Sequence, residues 1–386
     1  MKLLIVESPA KCKKINSLLG KEYIVLATAG HINTLSGLKS IDIKNGFTPS
    51  YTLMKDKYKY LNLLKDKKNN VDEVIIGTDL DREGEAIGFH IANYLNLDLN
   101  NTKRIIYNEI SKRALTNAIN NSETIDINMV KSQQSRQIID LLVGFHLSPL
   151  LWKHIQDKLS AGRCQSPALR LLYDNYIEIK NHNYDKYFKI NGLFKHKLYE
   201  LNGIIEHKFK ENNINDILNI IKSNKNNIYI SNIEKSEKKI NPPYPYITSS
   251  IQQDLSNIYN LNSKTSMSIL QKLYESGKIT YIRTDSYSIS KDCSFKLKDY
   301  IHNNYGEEYY QFRTFGKSNN SQEAHECIRP VHILTNDLNT DTIDNKVYKL
   351  IWKRTIQSQM KPYIYDEYKY TISINNLKYN FISKII

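Results

Sequence analysis

The stretch Gly77-Thr78-Asp79-Leu80-Asp81-Arg82-Glu83-Gly84-Glu85 follows the apolar run Val74-Ile75-Ile76 and decides the fold of the N-terminal part. A buried strand that ends in acids at positions i and i+2 directs both carboxylates to one side, because side chains alternate along a strand. Helical apolar spacing resumes after Gly84, so Glu83 is expected near a helix start. Three acids at the carboxyl edge of a strand are typical of a Mg²⁺ site. The alternative is a helix N-cap with solvated acids.

The N-terminus supplies a fourth acid. Residues Lys2-Leu3-Leu4-Ile5-Val6 form a continuous apolar run, which is typical of a strand covered on both faces. The run ends in Glu7-Ser8-Pro9-Ala10-Lys11, where Pro9 suits the first position of a helix. If the two strands are neighbours in a parallel sheet, Glu7 joins the three acids of the first stretch in one crevice. Such a group suits phosphate chemistry or metal-assisted proton transfer, since a cation or a shared proton must relieve its repulsion.

Composition limits the possible partners and compartments. The chain has 386 residues and a net charge of +14, with 24% charged residues. That length allows about two to four domains. A basic surface around an acidic crevice favours a polyanion, with nucleic acid ahead of anionic membrane. No apolar stretch approaches the ~20 residues that span a bilayer, and the four cysteines show no C-x-x-C spacing. We therefore expect an intracellular, reduced protein that does not bind a membrane.

Periodicity divides the chain into regions. Strand and helix signals alternate at first, with strands predicted at 2–6, 23–28, 73–79 and 104–108 and helices at 10–19, 55–66, 84–95 and 111–120. This alternation predicts an α/β domain with a largely parallel sheet. The predicted regions are an α/β domain (1–125), a helical segment (126–182), a β-rich segment (183–243), a second helical segment (244–361) and a return to the β-rich part (362–386). The polar segment 303–324 predicts a loop.

A candidate nucleophile lies in the second helical segment. Residues 278–282 predict a short strand that places Tyr281 two residues from Arg283, so that both side chains share a face. A tyrosine hydroxyl is a poor nucleophile at its ordinary pKa of about 10 unless cations or a base assist it. Arg283 is suited to bind a phosphate under attack and to offset its growing charge. Taken alone, a Tyr-x-Arg strand is usually structural, and the chain has 28 tyrosines.

Five blocks in a fixed order remove that ambiguity. They are Val6–Lys11, Asp79–Ile87, Leu159–Pro167, Thr280–Ser286 and Ala324–Pro330. The ordered set resembles the type IA DNA topoisomerases, and bacterial topoisomerase I more than topoisomerase III. The resemblance covers essentially the whole chain. It implies a multidomain α/β, α and β fold, in which a Rossmann-like TOPRIM domain joins helical and β-rich arch domains in an incomplete toroid-like core. In that comparison the chain stops at Ile386 before the family's core is complete, as in a fragment, a truncated gene or a short member.

The resemblance also implies roles for individual residues. Tyr281 would attack a DNA phosphodiester, giving a 5′-phosphotyrosine and a free 3′-hydroxyl without ATP. Glu7 would give a proton to the leaving 3′-oxygen and take it back on resealing. Lys11 and Arg283 would hold the non-bridging oxygens, and His325 would support the site by hydrogen bonding.

Metal and DNA contacts are implied in the same way. The acids associated with Mg²⁺ would be Glu7, Asp79, Asp81 and Glu83. The residues near single-stranded DNA would be Arg136, Asp140, Arg163 and Gln165. Leu141 and Phe145 depart from the family, since many bacterial members have a basic residue and a tyrosine there.

The implied activity is ATP-independent relaxation of negatively supercoiled DNA by strand passage. The enzyme would be a cytoplasmic, nucleoid-associated monomer that acts on single-stranded or negatively supercoiled DNA. One alternative is a fragment that binds and cleaves single-stranded DNA but cannot complete relaxation. Another is a different TOPRIM enzyme, such as a primase or a nuclease, whose chemistry needs no tyrosine.

Overall fold

The computed structural model describes residues 1–197, 199–315 and 325–386. The strands in chain order are β1 (Lys2–Val6), β2 (Tyr23–Ala27), β3 (Asn33–Thr34), β4 (Ile41–Asp42), β5 (Thr48–Pro49), β6 (Thr52–Leu53), β7 (Glu73–Ile76), β8 (Lys103–Arg104), β9 (Asn191–His196), β10 (Tyr199–Ile204), β11 (Ile228–Ile240), β12 (Tyr363–Ile374) and β13 (Phe381–Ile385). The α-helices are α1 (Pro9–Leu19), α2 (Tyr58–Lys68), α3 (Arg82–Tyr94), α4 (Lys112–Asn120), α5 (Ile127–His154), α6 (Gln165–Asn181), α7 (Glu211–Ser223), α8 (Thr248–Tyr259), α9 (Ser263–Glu275), α10 (Lys291–Tyr305) and α11 (Ile343–Ser358).

The described chain divides into two compact units. The first contains residues 1–171 and 243–360, and the second contains residues 172–242 and 361–386. The finer division into five regions stays a prediction. Of the predicted loop at 303–324, residues 316–324 lie outside the described part of the chain.

A parallel sheet forms the centre of the α/β domain. Its strand order is β2-β1-β7-β8, and Ile5 pairs with Ile76, so β1 and β7 are neighbours as the acid pattern required. Together with the helical and β-rich parts that follow, this sheet confirms the predicted multidomain fold class. Two strands are shorter than predicted, because β7 ends at Ile76 instead of 79 and β8 contains Lys103–Arg104 instead of 104–108.

Side chains explain why β7 stops early. The Gly77 carbonyl accepts a hydrogen bond from the Tyr107 hydroxyl, and the Thr78 carbonyl accepts one from Arg104. Because these acceptors are satisfied without a neighbouring strand, the backbone is free to turn toward α3.

Two apolar layers cover the sheet. Leu3 and Ile5 face one layer, where α2 and α3 pack. Leu4 and Val6 face the other, which contains residues of α1 and α4 and also of α8, α9 and α11. Full burial of one such side chain stabilises the fold by about 1.5–3 kcal/mol.

We call the contact surface between residues 1–126 and 243–360 the seam. Because the second apolar layer contains residues from both of these ranges, the seam is built on one shared apolar core.

Polar contacts also cross the seam. The Tyr281 amide donates to the Asn108 carbonyl at 2.8 Å, and the Arg329 guanidinium lies 3.0 Å from the Glu109 carboxylate. Residues 278–282 do not form the predicted strand. They make an isolated bridge from Ile279 to Pro330, and the pairing stops there because the Arg329 amide donates to the Thr280 hydroxyl instead of to a backbone carbonyl.

The second unit is an antiparallel sheet in the order β11-β12-β13-β10-β9. Strand β11 pairs with β12 from Ile228–Ile374 to Ile240–Tyr363, so two distant segments of the chain complete one sheet. The apolar core of this unit contains Phe209, Ile372 and Phe381, together with Ile217 of α7.

Across the described ranges, every helix is too short or too polar to cross a membrane.

Candidate active site

Backbone contacts fix the loop that carries the acids. Asp81 is the N-cap of α3, and its Oδ1 accepts a hydrogen bond from the Gly84 amide at 2.8 Å. A Cβ at Gly84 would lie 2.2 Å from the Asp79 carbonyl oxygen, so only glycine allows this approach. Arg104, fully buried, donates to the carbonyl of Asp79 at 2.9 Å and to the Glu85 carboxylate at 3.0 Å. The capping alternative is thus right for Asp81, but Asp79 is buried instead of solvated.

A buried cation balances the negative charge of Asp79. Its Oδ1 forms an ion pair with Lys11 Nζ and accepts a hydrogen bond from the Tyr274 hydroxyl at 3.0 Å. Lys11 is fully buried. Burial alone would lower the pKa of Lys11, but the charge of Asp79 raises it above its usual value. Lys11 is therefore the counter-ion of Asp79 in this arrangement, and its contact with a phosphate stays a prediction.

Tyr281 and Arg283 converge on a second acid. The Tyr281 hydroxyl donates to Asp81 Oδ2 at 2.6 Å, and Arg283 Nη1 lies 3.6 Å from the same oxygen. The two side chains meet there although their segment is not a strand. Tyr281 is 4% exposed. Burial, followed by the charges of Asp81 and Asp79, raises the pKa of Tyr281 far above its ordinary value, so the phenol is protonated in this arrangement.

Glu7 lies beside these two acids, at the end of β1. Burial and the negative charge of Asp79 raise the pKa of Glu7 to about 7, against an opposite effect of Lys11, and the charge of Asp81 makes a smaller contribution in the raising direction. The structure thus brings together Glu7, Asp79, Asp81 and Tyr281. A carboxyl group with this pKa is able to donate and to accept a proton near neutral pH.

Glu83 has three hydrogen-bond partners of its own. Its carboxylate accepts hydrogen bonds from His31 at 3.2 Å, from Gln133 at 3.0 Å and from Arg136 at 3.4 Å. These contacts, the His31 hydrogen bond first, lower the pKa of Glu83 to about 2. Asp81 and Glu83 line one cavity, and the place of Glu83 in a metal site with Glu7 stays a prediction.

The expected DNA-contacting residues continue from Glu83 along α5. Arg136 lies 3.9 Å from Asp140, which is paired with Arg163 at 2.6 Å. Gln165, the first residue of α6, donates to the Ser160 carbonyl at 3.0 Å. The side chains of Arg136 and Arg163 are about half and one-third exposed. They are accessible to a large ligand.

A cavity of about 470 Å³ opens beside the acids and is lined in part by Arg136, Arg283 and His325. The His325 Nε2 donates to the Leu80 carbonyl at 2.7 Å, which holds the loop between Asp79 and Asp81. Its ring lies 6.0 Å from the Tyr281 ring. The role expected for His325, support by hydrogen bonding, fits this position.

Whether the site suits a metal ion depends on the carboxylate oxygens of Glu7, Asp79 and Asp81. In the part of the chain that the structure describes, no group of three or more His, Cys, Asp or Glu side chains is arranged to hold a metal ion. The donor chemistry of Glu7, Asp79 and Asp81 does fit Mg²⁺, because the negative charge that raises the Glu7 pKa is what a hard cation would offset. At present Tyr281, Lys11 and Tyr274 contact these oxygens.

Sequence reasoning missed two residues of the site. Arg104 carried a usable signal, since a cation inside a predicted buried strand requires an anionic or carbonyl partner. Tyr274 carried no such signal. It follows Ile269, Leu270 and Leu273 at helical spacing and reads as a core residue.

Comparisons with known proteins identify the family of the chain. A family model described as DNA topoisomerase matches residues 124–386, and one described as Toprim domain matches residues 2–110. DNA topoisomerase 1 of Campylobacter jejuni is 39% identical, over 94% of this chain and 55% of its own length. DNA topoisomerase 1 of Rickettsia bellii is 39% identical, over 98% of this chain and 51% of its own length. The chain therefore spans about half the length of the curated relatives it matches.

A solved structure is also similar. Full-length topoisomerase I from Thermotoga maritima matches with a TM-score of 0.86 and 33% identity, covering 99% of this chain and 65% of that one.

Proposed function

Since the chain belongs to the DNA topoisomerase family, as its motifs predicted, we propose that it is an ATP-independent type IA enzyme that cuts one DNA strand through Tyr281. One observation carries the proposal: the Tyr281 hydroxyl lies 2.6 Å from Asp81 Oδ2, with Glu7 and Asp79 beside it. The nucleophile and the acids come from opposite sides of the seam, so a phosphate enters only when the seam parts.

The chemistry follows from these contacts. As the Tyr281 oxygen bonds to phosphorus, its proton passes to Asp81, the present acceptor of that hydrogen bond. The bond from phosphorus to the 3′-oxygen breaks, and Glu7 gives that oxygen a proton. Arg283, whose side chain is 61% exposed, binds the non-bridging oxygens. Resealing reverses each transfer, so bond energy is conserved and ATP is not used.

We assign Mg²⁺ to Asp79 and Asp81, with Glu7 nearby. We leave Glu83 out of this set because His31, Gln133 and Arg136 already bind its carboxylate. When bound, the ion supplies positive charge beside the phosphate and orients the 3′-hydroxyl.

The proposed substrate is DNA with single-stranded character, as in negatively supercoiled plasmid. The net charge of +14 and the accessible Arg136 and Arg163 support a DNA partner. Because one chain supplies both the nucleophile and the acids, we propose a monomer, which acts on DNA in the cytoplasm.

Trapping the covalent intermediate tests the proposal. A single-stranded oligonucleotide labelled at its 3′ end is incubated with the chain and then denatured, and labelled protein is resolved on a gel. The wild type should carry label and Tyr281→Phe should carry none, since the phenylalanine ring lacks the attacking oxygen. Tyr287→Phe, a nearby and partly exposed tyrosine, is the control and should behave as the wild type. Label on Tyr281→Phe would overturn the assignment.

The complete cycle needs a second assay. Relaxation of negatively supercoiled plasmid in steps of one linking number is the expected result. Covalent complexes without any change of linking number would limit this chain to DNA binding and cleavage.

A further inference from the structure

We propose that Tyr274 is a positioning residue for the cleavage reaction, which holds Asp79 and the ring of Tyr281 in register when the seam closes. The inference rests on the proposed function and adds a residue that the motifs do not contain.

Tyr274 touches the nucleophile and an acid at the same time. It lies near the end of α9 and is fully buried. Its ring packs edge-to-face on the Tyr281 ring, with centroids 5.2 Å apart and an interplanar angle of 65°. Its hydroxyl donates to Asp79 Oδ1 at 3.0 Å, across the seam. A change at Tyr274 therefore acts on both partners of the reaction.

Lys11 contacts both Asp79 and Tyr274. Its Nζ pairs with the same Asp79 oxygen and lies 4.8 Å from the centroid of the Tyr274 ring. A cation above an aromatic face is attracted to it, more strongly when water is excluded. We call Lys11, Asp79 and Tyr274 the seam triad.

The hydroxyl of Tyr274 is not needed to fill space. Phenylalanine has nearly the same ring volume, and a buried hydroxyl destabilises the fold unless it is hydrogen-bonded. Burial, with the charge of Asp79 next, raises the pKa of Tyr274 well above its ordinary value, so the group remains a donor.

Loss of this donor would leave Asp79 with Lys11 as its remaining contact in the seam triad. The carboxylate would be free to turn, and the field at Glu7 and Tyr281 would change with it. DNA affinity should not change, because Tyr274 is not among the residues that line the cavity beside Arg136 and Arg283.

The chain contains a matched control. Tyr246 is also fully buried in the same apolar core, and its hydroxyl donates to Asp254 Oδ2 at 2.5 Å. Arg354 pairs with that carboxylate and lies 4.3 Å from the Tyr246 ring. We call Tyr246, Asp254 and Arg354 the support triad.

The experiment compares Tyr274→Phe with Tyr246→Phe. Single-turnover formation of the Tyr281–DNA adduct is followed at saturating oligonucleotide, with oligonucleotide affinity and the urea midpoint measured in parallel. Tyr274→Phe loses the hydrogen bond to Asp79, whereas Tyr246→Phe loses the one to Asp254 and also the one from Arg354. The midpoint of Tyr246→Phe should therefore shift at least as much as that of Tyr274→Phe. We expect adduct formation to slow about tenfold or more in Tyr274→Phe and less than about twofold in Tyr246→Phe, with affinity unchanged in both.

A double variant shows whether Tyr274 acts through Asp79. In an Asp79→Ala background, the added Tyr274→Phe change should have little further effect on the rate. Equal slowing by the two tyrosine variants, or full additivity with Asp79→Ala, would overturn the positioning role while the proposed function stands. A wild-type chain that forms no adduct would overturn the proposed function, and this inference with it.

Discussion

The seam triad and the support triad each combine a tyrosine, a carboxylate and a cation, but they differ in their location and in the burial of their charged side chains. In each, a buried tyrosine hydroxyl donates to a carboxylate that pairs with a cation above the tyrosine ring. The support triad lies within residues 243–360, and its Arg354 and Asp254 side chains are 25% and 29% exposed. The seam triad joins both sides of the seam, and its Lys11 is fully buried. The support triad thus stabilises the fold of residues 243–360, whereas the same kind of contact in the seam triad holds Asp79 beside the nucleophile Tyr281.

The largest expected difference between the two triads is the loss of stability when the cation of each is replaced. Lys11→Met leaves a buried carboxylate without its counter-ion, so the free energy of unfolding should fall by about 3–5 kcal/mol. Arg354→Met removes a partly solvated ion pair and should lower it by about 1 kcal/mol. Urea unfolding of both variants measures the difference. Equal losses would mean that burial does not distinguish the triads.

The pH dependence of stability sharpens the comparison, because Glu7 lies against the seam triad. Its pKa is raised from 4.5 to about 7, so the folded chain retains a proton that the unfolded chain releases. The stability due to this proton is present below pH 4.5 and is lost as the pH rises to about 7, by about 3 kcal/mol in all.

Glu7→Gln should remove that dependence. Urea unfolding at pH 5 and pH 8 is the measurement, with Asp254→Asn in the support triad as the control. The wild type and the control should lose more stability between the two values than Glu7→Gln does. Parallel slopes for the wild type and Glu7→Gln would contradict the raised pKa.

The smallest expected effect on stability belongs to Arg283. Its ion pair with Asp81 crosses the seam as the seam triad does, but at 3.6 Å and with a side chain that is 61% exposed. Arg283→Ala should therefore change the free energy of unfolding by less than about 0.5 kcal/mol. Adduct formation should fall, since the guanidinium is proposed to bind the phosphate. A large loss of stability would indicate a structural role instead.

Local patterns in the sequence predicted the elements of the α/β domain. The apolar runs and Pro9 indicated β1, β7 and the start of α1, and the acids were expected at one edge of the sheet. The ends of β7 and β8 were wrong, because the side chains of Tyr107 and Arg104 satisfy carbonyls that a longer strand would have paired.

Contacts between distant segments set the limit of prediction at the site. Spacing places Glu83 in the first turn of a helix, but its partners Gln133 and Arg136 come from α5, about fifty residues later. Tyr274 pairs with an acid 195 positions away. Helical periodicity identifies it as a core residue and contains no information on that partner.

The shared apolar core has a consequence for biosynthesis. Leu4, Val6 and Leu115 pack against residues that include Ile251 and Ile351. A ribosome adding about 5–20 residues per second needs roughly 10–50 s for the roughly 230 residues between the last α/β contribution to this core and Ile351. During that interval the nascent N-terminal domain exposes this apolar surface to solvent, and we expect chaperones that bind such surfaces to associate with it until the later helices emerge.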